Sequence, residues 1–232
     1  MGASALNLSP RFPAPTRYLP DYESAFHGLF RPRLSSRISE EWAGTFPHHV
    51  ELIMVFDDLC ALTVMVEKEA LQKQAIQDPR FTGFYILPLV HRLFMLRSER
   101  IENRQERMVF EACKLSAFLY LQQLRHFVAL RYPCLRSPFF EQRQESPVTL
   151  TSSCVRRLEM IMLGHGVIWT ALQPLKCWAL TIGANSSYMI PDRPIDLDDL
   201  ATLAVSSSYQ YWSESMGPLM NNSWTHIFYE AN

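Results

Sequence analysis

Apolar residues recur along most of this chain at the three- and four-residue spacing of a helix, and almost nowhere in the alternation of a strand. From His48 onward, Val50, Ile53, Met54, Asp57, Ala61, Val64 and Met65 fall near i, i+3, i+4 and i+7 positions, and Glu67, Lys68 and Glu69 close the segment with charge. A second helix is predicted over 81–97, with Pro88 kinking it or ending its first part. The third is the clearest. Residues 102–130 contain no Gly or Pro, Met108, Ala112, Leu115, Leu119 and Gln122 trace one stripe, and Tyr132-Pro133 stops it. Residues 136–147 are polar and proline-bounded and read as an exposed loop. Thr149, Thr151 or Ser152 then caps a helix that runs to Leu163, ahead of Gly164-His165-Gly166. A further helix is predicted over 167–184, interrupted by Pro174. Beyond a turn at 190–194, Asp196 or Asp198 caps a helix ending near Gly217-Pro218, and a short helix over 224–229 finishes the chain. The expected fold is all-α: a single irregular domain of at least six helices with little or no sheet.

The first 47 residues differ. Pro10, Pro13, Pro15, Pro20, Pro32 and Pro47 break any long helix, and Phe12, Tyr18, Tyr22, Phe26, Phe30 and Trp42 interleave them. That mixture suits an arm packed onto a core better than a free linker. The expected organisation is an arm over 1–47 and a helical domain over 48–232.

Composition sharpens this. At 48% hydrophobic and 19% charged residues, the chain is apolar enough to build a sizeable core and too apolar for global disorder. Its net charge of -1 leaves no basic surplus for neutralising phosphates, so sequence-specific DNA binding by this chain alone is not expected. Cys60, Cys113, Cys134, Cys154 and Cys177 are widely spread, without a CxxC pair or the even count of a disulfide framework. No signal peptide is visible, and no apolar run reaches the roughly 18 residues of a spanning helix. The expectation is a nuclear or cytoplasmic protein that is not secreted, without membrane association, cofactor or metal.

Candidate chemistry is sparse. Asp57-Asp58 sits inside an apolar helix and resembles the paired metal-binding aspartates of terpene cyclases. The later acids Asp196, Asp198 and Asp199 lack the Asn-Ser-Glu spacing of their partner motif. The plainer reading pairs Asp57 with a cation, most plausibly Arg125 or His126, and leaves Asp58 solvated on another face. His48-His49 at a helix start is a candidate acid–base or ligand pair, or simply a helix entry. The catalytic candidates are therefore Asp57, His48, Arg125 and His126. No G-x-S-x-G elbow and no glycine-rich phosphate loop occurs. Arg97, Arg100, Arg104 and Arg107 alternate with Glu99, Glu102 and Glu106, which reads as a solvated, salt-bridged face.

Three segments carry a resemblance. Glu111-Ala112-Cys113-Lys114-Leu115-Ser116-Ala117-Phe118-Leu119-Tyr120-Leu121 is similar to the EACRLAALLYL helix of fungal-specific transcription factor domains. Gln173-Pro174-Leu175-Lys176-Cys177-Trp178-Ala179-Leu180-Thr181-Ile182-Gly183-Ala184 resembles a later apolar segment of that family. The stretch from Phe84 to Leu96 resembles the helix preceding both, in the same order. Together the likeness covers about residues 45–230. It implies the regulatory domain of zinc-cluster transcription factors, without the cysteine-rich zinc cluster with which such proteins usually begin. It also implies a protein partner or small effector, with a homo-oligomer compatible and a secondary-metabolite pathway permitted. It brings no catalytic residues with it. The alternative is a small all-α biosynthetic enzyme or ligand carrier, with Phe56, Met54, Trp169, Trp178, Tyr188 and Met162 lining a cavity. Convergence of Asp57, His48 or His126, and Arg125 on an apolar pocket would favour the enzyme.

Overall fold

The computed structural model describes residues 42–44, 46–72, 85–131, 145–164, 169 and 172–188. Among these, regular structure is helical throughout, without a strand. The elements are α1 (Val50–Gln72), α2 (Leu87–Met95), a 3-10 turn (Ser98–Arg100), α3 (Arg104–Arg131), α4 (Glu145–Leu163) and α5 (Gln173–Tyr188). The all-α expectation and its six helical elements hold. The arm before Trp42, the turn at 190–194 and the two predicted C-terminal helices lie outside the described residues.

Local chemistry sets the ends. The Asn103 side chain accepts from the Gln105 amide at 2.9 Å and from the Glu106 amide at 3.4 Å, capping α3 at a point where backbone donors have no helical partner. Of the two prolines expected within helices, Pro174 stands at a helix start, and Pro88 stands where a π-helical turn at Tyr85-Ile86 passes into α-helix. Pro88 occupies the first turn of α2 and Pro174 that of α5, where a missing amide costs nothing. Helix α5 thus begins at Gln173 rather than at 167. Likewise α4 begins at Glu145, ahead of the predicted capping residues, with Pro147 inside its first turn. Gly164 follows α4, and a Cβ there would stand 2.9 Å from the Met160 carbonyl, so only glycine fits without a shift.

Helix α3 is the axis of the domain. It packs mainly on α4 and α5, and also on α1, α2 and the 3-10 turn. Surrounded in this way, it is buried on nearly every side: Val109, Phe110 and every residue from Ala112 to Leu121 are inside. The single stripe read from sequence is real but covers a small part of the buried surface. Ser116 donates to the Ala112 carbonyl at 2.8 Å, which lets a hydroxyl enter the core without an orphaned group.

The phase of α1 departs from expectation. Leu52, Val55, Phe56, Leu59, Leu62, Thr63 and Val66 face the core, whereas Val50 and Met54 are more than half exposed and Asp57 is exposed. Apolar side chains occur on almost all sides of this helix, so two stripes compete in the sequence. Packing against α2 and α3 selects one of them. Trp42 is fully buried against Phe46, Phe56 and Phe110, so this residue ahead of His48 packs onto the helical core.

Candidate functional site

Two contacts fix how α1 lies on α3. His49 Nε2 pairs with Glu106 Oε1 just ahead of α1, and the Thr63 and Tyr120 hydroxyls share a hydrogen bond four turns later. Both span the same separation of 57 residues, so the helices run side by side in one direction. Asp57 then stands level with Lys114, and Arg125 lies about 16 Å further along the axis. Asp57, His48 and His126 are exposed and Arg125 is half-buried, its guanidinium pKa lowered by burial. These four side chains do not converge on one pocket.

The sequence neighbours of two of those candidates make pairs across elements. Asp58, not Asp57, accepts from Arg92 Nη1 of α2. His49, not His48, pairs with Glu106, and its ring lies 5.3 Å from Phe110 and 5.9 Å from Trp42. One residue along a helix is a rotation of about 100°, so a phase error at α1 becomes an error of partner. The substitution Asp57→Asn, at an exposed position, is expected to change stability by less than about 0.5 kcal/mol. Asp58→Ala, which strands a partly exposed Arg92, should cost about 1 kcal/mol. Urea denaturation of both variants measures the contrast.

A second polar cluster joins the 3-10 turn, α3 and α4. Glu111 accepts from Arg157 Nε at 2.5 Å and from Ser98 Oγ at 3.3 Å. One turn on, Lys114 is only 7% exposed and donates to the Leu96 carbonyl at 2.5 Å. Burial lowers the Lys114 ammonium from its ordinary 10.5, Glu111 and Glu99 pull it back up, and Arg97 pushes it down. The unfolded chain keeps this proton up to about pH 10.5, whereas the folded chain releases it earlier. Between the two values the unfolded state binds more protons, so this lysine makes stability rise with pH. The buried thiols act with the opposite sign. Burial raises Cys113, Cys154 (to about 12) and Cys177, so their contribution is lost as pH climbs above the ordinary thiol value of 9.0. Comparing wild type with Lys114→Met in urea titrations at rising pH isolates the lysine. The wild type should gain stability relative to the variant as the alkaline window is crossed.

The upper part of α3 meets α5 through Gln123, whose Nε2 donates to the Ile182 carbonyl at 2.9 Å and to Ser186 Oγ at 2.6 Å. This links α3 to α5. The aromatic residues suggested for a cavity fare differently. Phe56 and Trp178 touch edge to face at 5.7 Å and so fill the space between α1 and α5, while Met54 points outward. Among the described residues, no group of three or more His, Cys, Asp or Glu side chains is arranged to hold a metal ion, and no helix is long and apolar enough to cross a membrane.

Neither a protein-family model, nor a curated protein, nor a solved structure matches this chain.

Proposed function

We propose that this chain is a transcription-factor-like regulatory domain that works by binding a protein partner or small effector rather than by reading DNA itself. The observation that carries the reading is where the family-like segments fall. Glu111–Leu121 forms the buried centre of α3, Cys177–Ala184 lies on α5 against it, and Ile86–Leu96 lies on and beside α2, which also packs on α3. The patterns that carry the resemblance are thus one continuous core. Polar side chains support the same reading. Asp58–Arg92, His49–Glu106, Glu111–Arg157 and Gln123–Ser186 each tie one element to another instead of meeting at one reacting centre.

Two measurements test it. The chain fused to a heterologous DNA-binding domain should change transcription of a reporter. Deletion of the gene in its host should change transcripts of its genomic neighbours. Intact transcripts together with an accumulating biosynthetic intermediate would replace the regulator with the enzyme. A nuclear location and a role in secondary metabolism belong to the proposal and rest on the resemblance.

A further inference from the structure

We infer that the face formed by Arg97, Arg100, Arg104 and Arg107 docks an acidic segment of a partner protein, one in which carboxylates alternate with apolar side chains. The inference deepens the regulatory reading and rests on it. All four arginines are exposed where the 3-10 turn leads into α3. Their alternation with Glu99, Glu102 and Glu106 predicts mutual salt bridges, and the fold turns one of these glutamates, Glu106, elsewhere. Glu106 turns to His49, and Glu111 is held by Arg157 and Ser98. Among the described residues, no ion pair engages Arg100, Arg104 or Arg107.

Position concentrates the charge. Arg104, Arg107, Glu111 and Lys114 recur at the three- and four-residue spacing of one helix face. Arg97 acts electrostatically on Lys114, and Arg157 reaches Glu111, so α3, α4 and the turn bring their cations to the same corner. Six cations (Arg97, Arg100, Arg104, Arg107, the buried Lys114 and Arg157) meet four carboxylates (Glu99, Glu102, Glu106 and Glu111) on these segments, in a chain whose net charge is -1. Arg104 and Arg107 also stand in the first turns of a 28-residue helix, where the helix dipole disfavours positive charge. The arrangement lowers stability, as surfaces kept for binding commonly do.

The occupant follows from what stands among the arginines. Glu99 and Glu102 are exposed between them and would repel the unbroken charge of a nucleic-acid backbone. Discrete carboxylates on a peptide can sit on the arginines and leave those glutamates to solvent. Met95, 50% exposed at the end of α2 and two residues from Arg97, offers an apolar contact at the edge of the face.

The test uses the full chain and a fluorescein-labelled peptide of repeated Glu-Glu-Leu units, read by anisotropy. A Lys-Lys-Leu peptide and a random DNA duplex serve as comparisons. The Glu-Glu-Leu peptide should bind, weaken with added salt, and lose affinity by about tenfold or more in Arg104→Glu/Arg107→Gln. The same variant should hold its Tm or raise it by about 2–4 °C, because a carboxylate replaces a cation at the helix start. Arg97→Gln/Arg100→Gln, altered outside the helix, should weaken binding in the same direction. Equal affinity in wild type and variants, no binding by the acidic peptide, or tighter binding of the duplex would overturn the inference. So would a fall in Tm of the helix-start variant, which would give those arginines a role in the fold. The reporter fusion reads the regulatory role independently of this peptide, so the surface and the regulatory reading fail separately.

Discussion

Trp42→Ala should unfold or nearly unfold this domain, with a loss of about 3–5 kcal/mol. The indole is fully buried, and its ring lies 4.6 Å from Phe46, 6.1 Å from Phe110 and 6.2 Å from Phe56. It joins the chain ahead of α1 to both α1 and α3, so truncation opens a cavity where three elements meet. A domain of ordinary stability holds only about 5–15 kcal/mol in reserve. The substitution Trp42→Phe provides the contrast. The buried indole N–H finds no acceptor among the described residues, so phenylalanine removes a desolvated donor along with some volume. Its net cost should be about 1–2 kcal/mol, well below that of alanine. Urea denaturation followed by far-ultraviolet circular dichroism measures both. A Trp42→Ala protein as stable as wild type would place the true start of the core after His48.

Glu111→Ala should cost about 2–4 kcal/mol, more than removal of any other described carboxylate. Glu111 is the common partner of Arg157 and Ser98 and the largest electrostatic support of the buried Lys114. Its loss leaves an ammonium inside the protein without that support, and the figure stays below a fully buried pair because Arg157 is one-third exposed. The double variant Glu111→Leu/Lys114→Met removes both charges and should recover most of the loss, since an apolar pair needs no compensation. Additive losses in this cycle would show that the two residues do not act on each other.

Helix content was legible from spacing because amphipathic periodicity is a local property. The long helix was placed within about two residues at each end by an absence of Gly and Pro. The prolines illustrate the limit of local reading. A proline that starts a helix and one that interrupts it look alike unless the residues before it are known: Leu172 stands outside the helix ahead of Pro174, whereas Tyr85-Ile86 ahead of Pro88 are themselves a π-helical turn.

The candidate residues show the same limit at finer scale. Asp57 and His48 were conspicuous, yet Asp58 and His49 make contacts across elements, and Glu106 was read as part of a solvated face. The sequence by itself determined that the chain is helical, where most helices lie, and which segments are apolar enough to be core. It could not set the phase of α1, because an apolar residue occurs on nearly every side of that helix. That phase was decided by its neighbours: α3, whose Glu106 and Tyr120 receive His49 and Thr63, and α2, whose Arg92 receives Asp58, together turn Leu52, Val55, Phe56 and Leu59 inward. The pairing of charges was decided with it. A rotation of about 100° per residue makes every partner depend on a contact that lies 57 positions away in sequence.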